Sequence, residues 1–143
     1  FYDEGAVVVA SSYTKVGGVY DFGFRHDPER PLETLADYCM GVYTNLGLPQ
    51  RVEMLSTYVE DYEADGLLVN SIKSCNSFSA GQLPILRAVE DRTGKPGAFI
   101  ETDLVDPRYF SPANVKNRLE SYFQMIDQKR RGGASGGGAS QAA

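Results

Sequence analysis

Residues 64–82, ADGLLVNSIKSCNSFSAGQ, carry the signals of a strand that leads through a polar loop into a helix. The turn signal Ala-Asp-Gly opens the stretch, the apolar residues 67–69 follow, and Cys75 falls on the connecting loop. In a parallel α/β sheet the loops at the carboxyl ends of strands bind ligands, because helix N-termini and free backbone N–H groups point there. A thiol at this place can reach a bound group, so Cys75 is the best-placed reactive side chain in the sequence.

Strand and helix signals alternate on both sides of this stretch. Residues 6–10, AVVVA, are apolar throughout and predict a strand buried on both faces, and residues 97–101, GAFIE, predict a third strand. Helix-start signals occur at Pro31, at Pro49, near Gly81 and at Ser111-Pro112. This alternation predicts an α/β fold with a parallel sheet and right-handed crossovers.

Length and composition bound the class of protein. The 143 residues fit one domain, and the apolar fraction of 42% and charged fraction of 23% are ordinary for a globular protein. No apolar run approaches the ~20 residues that span a bilayer, and a net charge of -5 argues against a nucleic-acid partner or an anionic membrane surface. Two widely separated cysteines do not make a disulfide framework, which favours a reducing cytoplasm.

The two ends differ from the middle of the chain. FYDEG at the start has the pattern of the last turn of a helix closed by Gly5, and no Met precedes it, so we expect a fragment of a longer polypeptide. Residues 132–143, GGASGGGASQAA, predict a flexible tail behind a single domain at residues 1–131. The loop at residues 11–24 has glycines whose spacing matches neither a dinucleotide nor a P-loop motif, and it stays a candidate wall of a pocket.

Two interpretations of Cys75 stay open on the residues alone. Lys73 and a following helix N-terminus would both favour the thiolate, which points to a metal ligand or a nucleophile. Alternatively, Cys75 is a small buried residue in a tight loop. No histidine or second cysteine stands near it, so a zinc or iron–sulfur site would need ligands from elsewhere.

The other candidates have mostly structural interpretations. Cys39 lies on the apolar stripe of the helix that starts at Pro31, so we expect it in the core. His26, the single histidine, lies in a charged turn and is expected to be solvated, with a general base as the alternative.

Acidic residues follow the third predicted strand, on the same edge of the sheet as Cys75. Glu101 and Asp103 form an acid–base pair, hold Arg108 or cap the next helix. Asp106 and Arg108 are expected to form a structural pair.

The segment at residues 71–125, from SIKSCNSFSAGQ to ESYFQM, resembles the 2-hydroxyacyl-CoA dehydratase and benzoyl-CoA reductase family of iron–sulfur subunits. The Ser-Cys after the strand, the segment IE-x-D-x-x-D-x-R and the closing helix carry the likeness together. It extends back through GAVVVASSYTK and HDPERPLETLADYCMG, and so covers nearly everything before the glycine tail.

This resemblance implies a fold, a cofactor and partners. Subunits of the family have two flavodoxin-like, three-layer α/β domains with a [4Fe-4S] cluster between them, held by three cysteines. Cys75 matches the third, and the other two belong to an N-terminal part that this sequence lacks, so the chain is expected to be the C-terminal domain. The expected partners are a homologous iron–sulfur subunit, a CoA-thioester substrate and an ATP-hydrolysing activator that carries the ATP.

Two branches of the family differ in their reaction. YCMGVYTNLGLP, CNSFSAGQ and ESYFQMIDQKR resemble the reductase branch, and within it the C-type subunit, which implies ATP-dependent dearomatisation of benzoyl-CoA. The first alternative is a dehydratase subunit that removes water from a 2-hydroxyacyl-CoA through a ketyl radical. The second alternative is a flavodoxin- or response-regulator-like binding module, without catalysis, in which the thiol is incidental.

Overall fold

The computed structural model describes residues 1–12 and 26–135, which form an α/β arrangement. The helices are α1 (Pro31–Met40), α2 (Leu48–Asp61), α3 (Asn76–Ser79), α4 (Gln82–Thr93) and α5 (Pro112–Ser135), and the strands are β1 (Leu67–Ile72) and β2 (Gly97–Thr102). Short 3-10 helices lie at Tyr2–Glu4, Tyr43–Asn45 and Pro107–Tyr109. Most of the predicted loop at residues 11–24, and residues 136–143 of the predicted tail, lie outside the described residues, whereas residues 132–135 are the end of α5.

The described strands form one parallel pair. Leu67 lies opposite Gly97, and Ile72 lies opposite Thr102. α4 connects the two strands and packs against both, as a parallel connection requires. The strands predicted at residues 67–69 and 97–101 are confirmed, and both extend further than predicted. Because the strands are parallel and in register, the loops after Ile72 and Thr102 leave the sheet at the same edge.

The core lies between α2 and α4. Leu55 and Val59 of α2 are buried, and they are four residues apart on one helical face. Ile85 and Val89 of α4 have the same spacing and are each 1% exposed. Tyr43, from the 3-10 helix before α2, completes this cluster with Met54.

The predicted helix starts are confirmed. α1 and α5 begin at Pro31 and Pro112, and Pro49 is the second residue of α2. Proline is tolerated there because the first N–H groups of a helix have no partner inside it. α4 begins after Gly81, whose φ of 75° lies in the left-handed region, and a Cβ at this position would also meet the side chain of Leu48.

The strand predicted at residues 6–10 is wrong. These residues have no regular secondary structure, and Val7, Val8 and Val9 are 75%, 61% and 50% exposed. The segment and β1 both line a cavity of about 850 Å³. A β-branched run has strand propensity, but a strand exists only where a neighbour accepts its hydrogen bonds, and in the described chain β1 pairs with β2 alone.

The expected burial of Cys39 is also wrong. Cys39 is exposed on α1, and so are Leu32, Leu35 and Met40. The spacing correctly predicted a helix with an apolar stripe, but no other described element covers that stripe. Periodicity reports which face a helix can bury, and it does not report whether a partner is present.

The last helix packs on β2. Tyr122 is its buried residue, and Arg118 Nη1 donates a hydrogen bond of 3.0 Å to the main-chain oxygen of Phe99. The arginine thereby satisfies a strand carbonyl from a helix. Among the helices of the described ranges, α5 included, none combines the length and apolar character needed to cross a membrane.

Replacing Ile85 with alanine tests the position of the core. Because Ile85 is 1% exposed between α2 and α4, Ile85→Ala should lower the free energy of unfolding by about 2–5 kcal/mol. Leu83→Ala is the matched control on the same helix, since Leu83 is 41% exposed, and its effect should stay near about 0.5 kcal/mol. Urea titration followed by circular dichroism measures both, and equal losses would contradict a core at this interface.

Candidate functional site: the Cys75 loop

Cys75 lies where the sequence placed it, on the loop after β1. It is half-buried and is the N-cap residue of α3, a single helical turn that the sequence analysis did not separate from α4. Its N–H donates to the oxygen of Ile72 at 3.0 Å, and its carbonyl accepts from the N–H of Phe78 at 3.0 Å. The backbone of Cys75 is therefore bonded both to the strand before it and to the turn after it.

Asp103, on the loop after β2, joins the two loops at this edge. Its Oδ2 accepts a hydrogen bond of 2.8 Å from the backbone N–H of Ser74, the residue before Cys75. Its Oδ1 accepts from the N–H groups of Val105 at 2.7 Å and Asp106 at 3.0 Å. The N–H groups of Asp106 and Val105, with a smaller contribution from Ser74, lower the pKa of Asp103 from 3.8 to about 2.

None of the roles considered for Asp103 from the sequence matches these contacts. It bonds backbone N–H groups and holds neither Arg108 nor a helix end, and its lowered pKa makes it a poor proton donor near neutral pH. Glu101 lies within β2, opposite Ser71, with its side chain exposed. The pair therefore gives no acid–base arrangement at the Cys75 loop.

The expected structural pair of Asp106 and Arg108 is confirmed. Arg108 Nε lies 2.9 Å from Asp106 Oδ1, and its Nη2 lies 2.5 Å from Oδ2. Hydrogen bonds from Arg108 lower the pKa of Asp106. Asp106 also caps the 3-10 helix Pro107–Tyr109, because it accepts the Arg108 N–H at 3.0 Å.

Lys73 is bonded to this second loop. Its backbone N–H donates to the oxygen of Thr102 at 3.0 Å, and its Nζ lies 4.5 Å from the centre of the Tyr109 ring. A cation–π contact of this kind favours a fixed position for the ammonium group. The positive charge that the sequence placed near Cys75 thus lies over the aromatic ring of the neighbouring loop.

The remaining candidates lie away from this edge. His26 is exposed in the turn before α1, as predicted, with its ring centre 5.8 Å from that of Tyr38. Within the described ranges no three His, Cys, Asp or Glu side chains are grouped as a metal site requires. Cys39 and Cys75 lie on separate elements, so Cys75 is the thiol available at the sheet edge.

Sequence reasoning missed two residues that hold the loop. Asp103 was considered for chemistry, and its bond to Ser74 spans 29 positions that no local pattern reveals. Arg51 was not considered, although it stands four residues before Leu55 on the buried face of α2. A charged residue in register with an apolar stripe was the available signal.

An α/β domain with a half-buried cysteine on the loop after a parallel strand belongs to the class of proteins that hold ligands at the carboxyl edge of a sheet. The sequence profile described as "2-hydroxyglutaryl-CoA dehydratase, D-component" matches residues 1–126. The chain belongs to this family.

Three curated relatives show how the likeness is distributed within the family. The chain is 80% identical, over 92% of its length, to a benzoyl-CoA reductase subunit of Thauera aromatica. It is 26% identical over 69% of its length to lactoyl-CoA dehydratase subunit alpha of Anaerotignum propionicum, and 25% identical over 66% to (R)-2-hydroxyglutaryl-CoA dehydratase subunit alpha of Acidaminococcus fermentans. The chain spans 31%, 24% and 20% of these relatives. The sequence segments suggested a C-type reductase subunit, whereas the relative at 80% identity is by its name a B-type one.

The bridge from Asp103 to Ser74 predicts a specific pH dependence. A carboxyl group whose pKa is about 2 when folded and 3.8 ordinarily stabilises the fold above pH about 4, and this contribution is lost as the pH falls toward 2. Asp103→Asn should therefore lower the free energy of unfolding at pH 7 and make its decrease between pH 4 and pH 2 less steep. Urea titrations across this pH range provide the measurement.

Glu101→Gln serves as the control for this experiment. Glu101 is two positions away and exposed, so the variant should keep the pH dependence of the parent chain. If Asp103→Asn keeps that dependence as well, Asp103 does not hold the loop as a carboxylate.

Proposed function

We propose that this chain is part of an iron–sulfur subunit of an ATP-dependent benzoyl-CoA reductase. The observation that carries the proposal is the 80% identity, over 92% of the chain, to a relative named as a subunit of benzoyl-CoA reductase. The family relationship over residues 1–126 is consistent with it. The proposed reaction is the ATP-driven, two-electron dearomatisation of a benzoyl-CoA thioester by the complete enzyme.

Cys75 is the residue that we propose as a ligand of a [4Fe-4S] cluster. Its loop is compatible with this role, because a half-buried thiol at the sheet edge is reachable by a group that binds across the edge. The described residues offer a single thiol there, so they fit a cluster whose other ligands come from another part of the complete subunit, and they do not fit a self-contained site. When bound, such a cluster supplies low-potential electrons.

The chain's own contribution is to hold the thiol in place. Residues on either side of Cys75 are bonded, through Ile72 and through the Ser74–Asp103 bridge, so the loop is tied to both strands. A ligand that is ordered before the cluster binds loses less conformational entropy and keeps its sulfur in a constant environment. We therefore assign Asp103 to the support of this ligand loop.

The second candidate function is a 2-hydroxyacyl-CoA dehydratase subunit. It is supported by the description of the family and by the two relatives named dehydratases, at 26% and 25% identity. The much higher identity to the reductase subunit favours reduction of benzoyl-CoA. A third possibility, a binding module without catalysis, has no comparable support among the relatives.

The proposal includes the partners and the place of the reaction. We propose a homologous iron–sulfur subunit and an ATP-hydrolysing activator as partners, in the cytoplasm, with the ATP bound by the activator. A two-stranded sheet is small for an independent domain. We accordingly propose that the complete subunit has a larger, flavodoxin-like three-layer sheet of which β1 and β2 are one part.

The iron content of cysteine variants tests the proposed ligand. In the complete subunit, purified without oxygen, Cys75→Ala should lose bound iron because one thiolate ligand is removed. Cys39→Ala is the matched control, since Cys39 is exposed on α1, and it should keep the iron content of the parent. Equal loss in both variants, or none in Cys75→Ala, would refute the assignment.

A substrate comparison separates the two reactions. The assembled complex is supplied with ATP, a strong reductant and either benzoyl-CoA or a 2-hydroxyacyl-CoA. We expect the aromatic absorbance of benzoyl-CoA to disappear, while the 2-hydroxyacyl-CoA is not dehydrated. Dehydration with an unchanged benzoyl ring would move the chain to the dehydratase branch.

A further inference from the structure

Arg51 is a buried cation whose bonds are to main-chain oxygens. Its side chain extends from the first turn of α2, and the residue is 7% exposed. Nε donates to Leu46 O at 2.9 Å, Nη2 to Thr44 O at 2.7 Å and Nη1 to Ser77 O at 3.2 Å. Among the ion pairs between described residues none includes Arg51. Burial of a charge without a counter-ion is costly unless hydrogen bonds compensate for it, and here three carbonyl groups do so.

Aromatic and amide side chains extend this arrangement toward α3. The guanidinium carbon lies 4.9 Å from the centre of the Tyr43 ring. The other contact of that ring is with Phe78 of α3, at 6.1 Å and an interplanar angle of 26°. The side chain of Gln82, at the start of α4, is hydrogen-bonded to Tyr43, whose pKa is nevertheless raised by burial. We call Tyr43, Arg51, Phe78 and Gln82 the arginine clamp.

The clamp acts on the turn that begins at Cys75. Arg51 bonds Ser77, which lies two residues after Cys75, and Phe78 lies three residues after it. On the other side, Asp103 bonds Ser74, the residue before Cys75. The chain around Cys75 is thus held from one side by a carboxylate that accepts from an N–H group, and from the other by a guanidinium that donates to a carbonyl group.

We propose that Arg51 is a positioning residue that fixes the Cys75 loop through the arginine clamp. The significance of the position rests on the proposed function, in which Cys75 is a cluster ligand, but the ordering of the loop does not. Arginine is required because its planar fork presents donors in three directions at once, whereas the lysine ammonium is a point charge on a thinner stem. Charge alone therefore does not replace it.

Peptide-resolved hydrogen exchange of the 143-residue chain tests the proposal in the absence of cluster and substrate. The variants are Arg51→Lys and Arg51→Met. The reporting amides are those of Phe78 and Ala80, which bond Cys75 O and Asn76 O in α3. We expect their exchange to become about 10- to 100-fold faster in both variants, while amides in the second half of α4 change much less. The lysine variant keeps the charge and the stem, so it reports the result if the methionine variant does not fold.

Arg92→Lys and Arg92→Met are the matched controls. Arg92 also joins α2 to α4, through an exposed ion pair with Glu53 near the end of α4. These variants should leave exchange in α3 unchanged. The rate of alkylation of Cys75 by iodoacetamide, relative to that of exposed Cys39, should rise in the Arg51 variants alone.

The outcomes separate loop positioning from general stability and from the function. Uniform acceleration over α2, α3 and α4 would reduce Arg51 to a core residue, and parent-like exchange in Arg51→Lys would show that charge suffices. Either result overturns the proposal. In the complete subunit, the electron paramagnetic resonance spectrum of the reduced cluster should differ in Arg51→Lys and not in Arg92→Lys. Local loosening without iron at Cys75 would refute the cluster assignment and leave the positioning role in place.

Discussion

The parallel pairing of β1 with β2 is the constraint on which the candidate site depends. Because Ile72 lies opposite Thr102, the loops that follow both strands leave the sheet together. That proximity allows Asp103 to reach the Ser74 N–H across 29 positions of sequence. An antiparallel pairing would send the two loops to opposite ends of the sheet, and Asp103 would have no access to the chain around Cys75.

Two ionised side chains of opposite sign hold the loop, and they bond different halves of the peptide group. Asp103 takes N–H groups that no strand or helix uses, and Arg51 takes carbonyl groups left over at turn ends. A loop next to a binding edge has many such groups, because it belongs to no ladder. Using charged side chains for them gives stronger bonds than neutral ones. The sulfur of Cys75 needs no part in this arrangement, so it stays available for a ligand.

The sequence predicted the elements better than it predicted what touches them. Local signals were enough for α2, α4, β1 and β2, because proline, glycine and apolar spacing act within a few residues. The strand at residues 6–10 and the burial of Cys39 were wrong because each needed a neighbour that periodicity cannot identify. Arg51 and Asp103 were missed as loop supports because their partners, Ser77 and Ser74, are 26 and 29 positions away. The position of the cysteine followed from local sequence, and its environment did not.

The hydrogen bond from Arg118 to Phe99 gives the small sheet two unequal sides. β2 faces β1 on one side and receives a helix side chain at a main-chain carbonyl, which makes it a poor template for an added strand. β1 has no second partner among the described residues, and the cavity beside it leaves space along the strand. Strand addition, whether during assembly of a larger sheet or during aggregation, is therefore directed to β1. A charged substitution on that side would limit self-association without touching the cysteine loop.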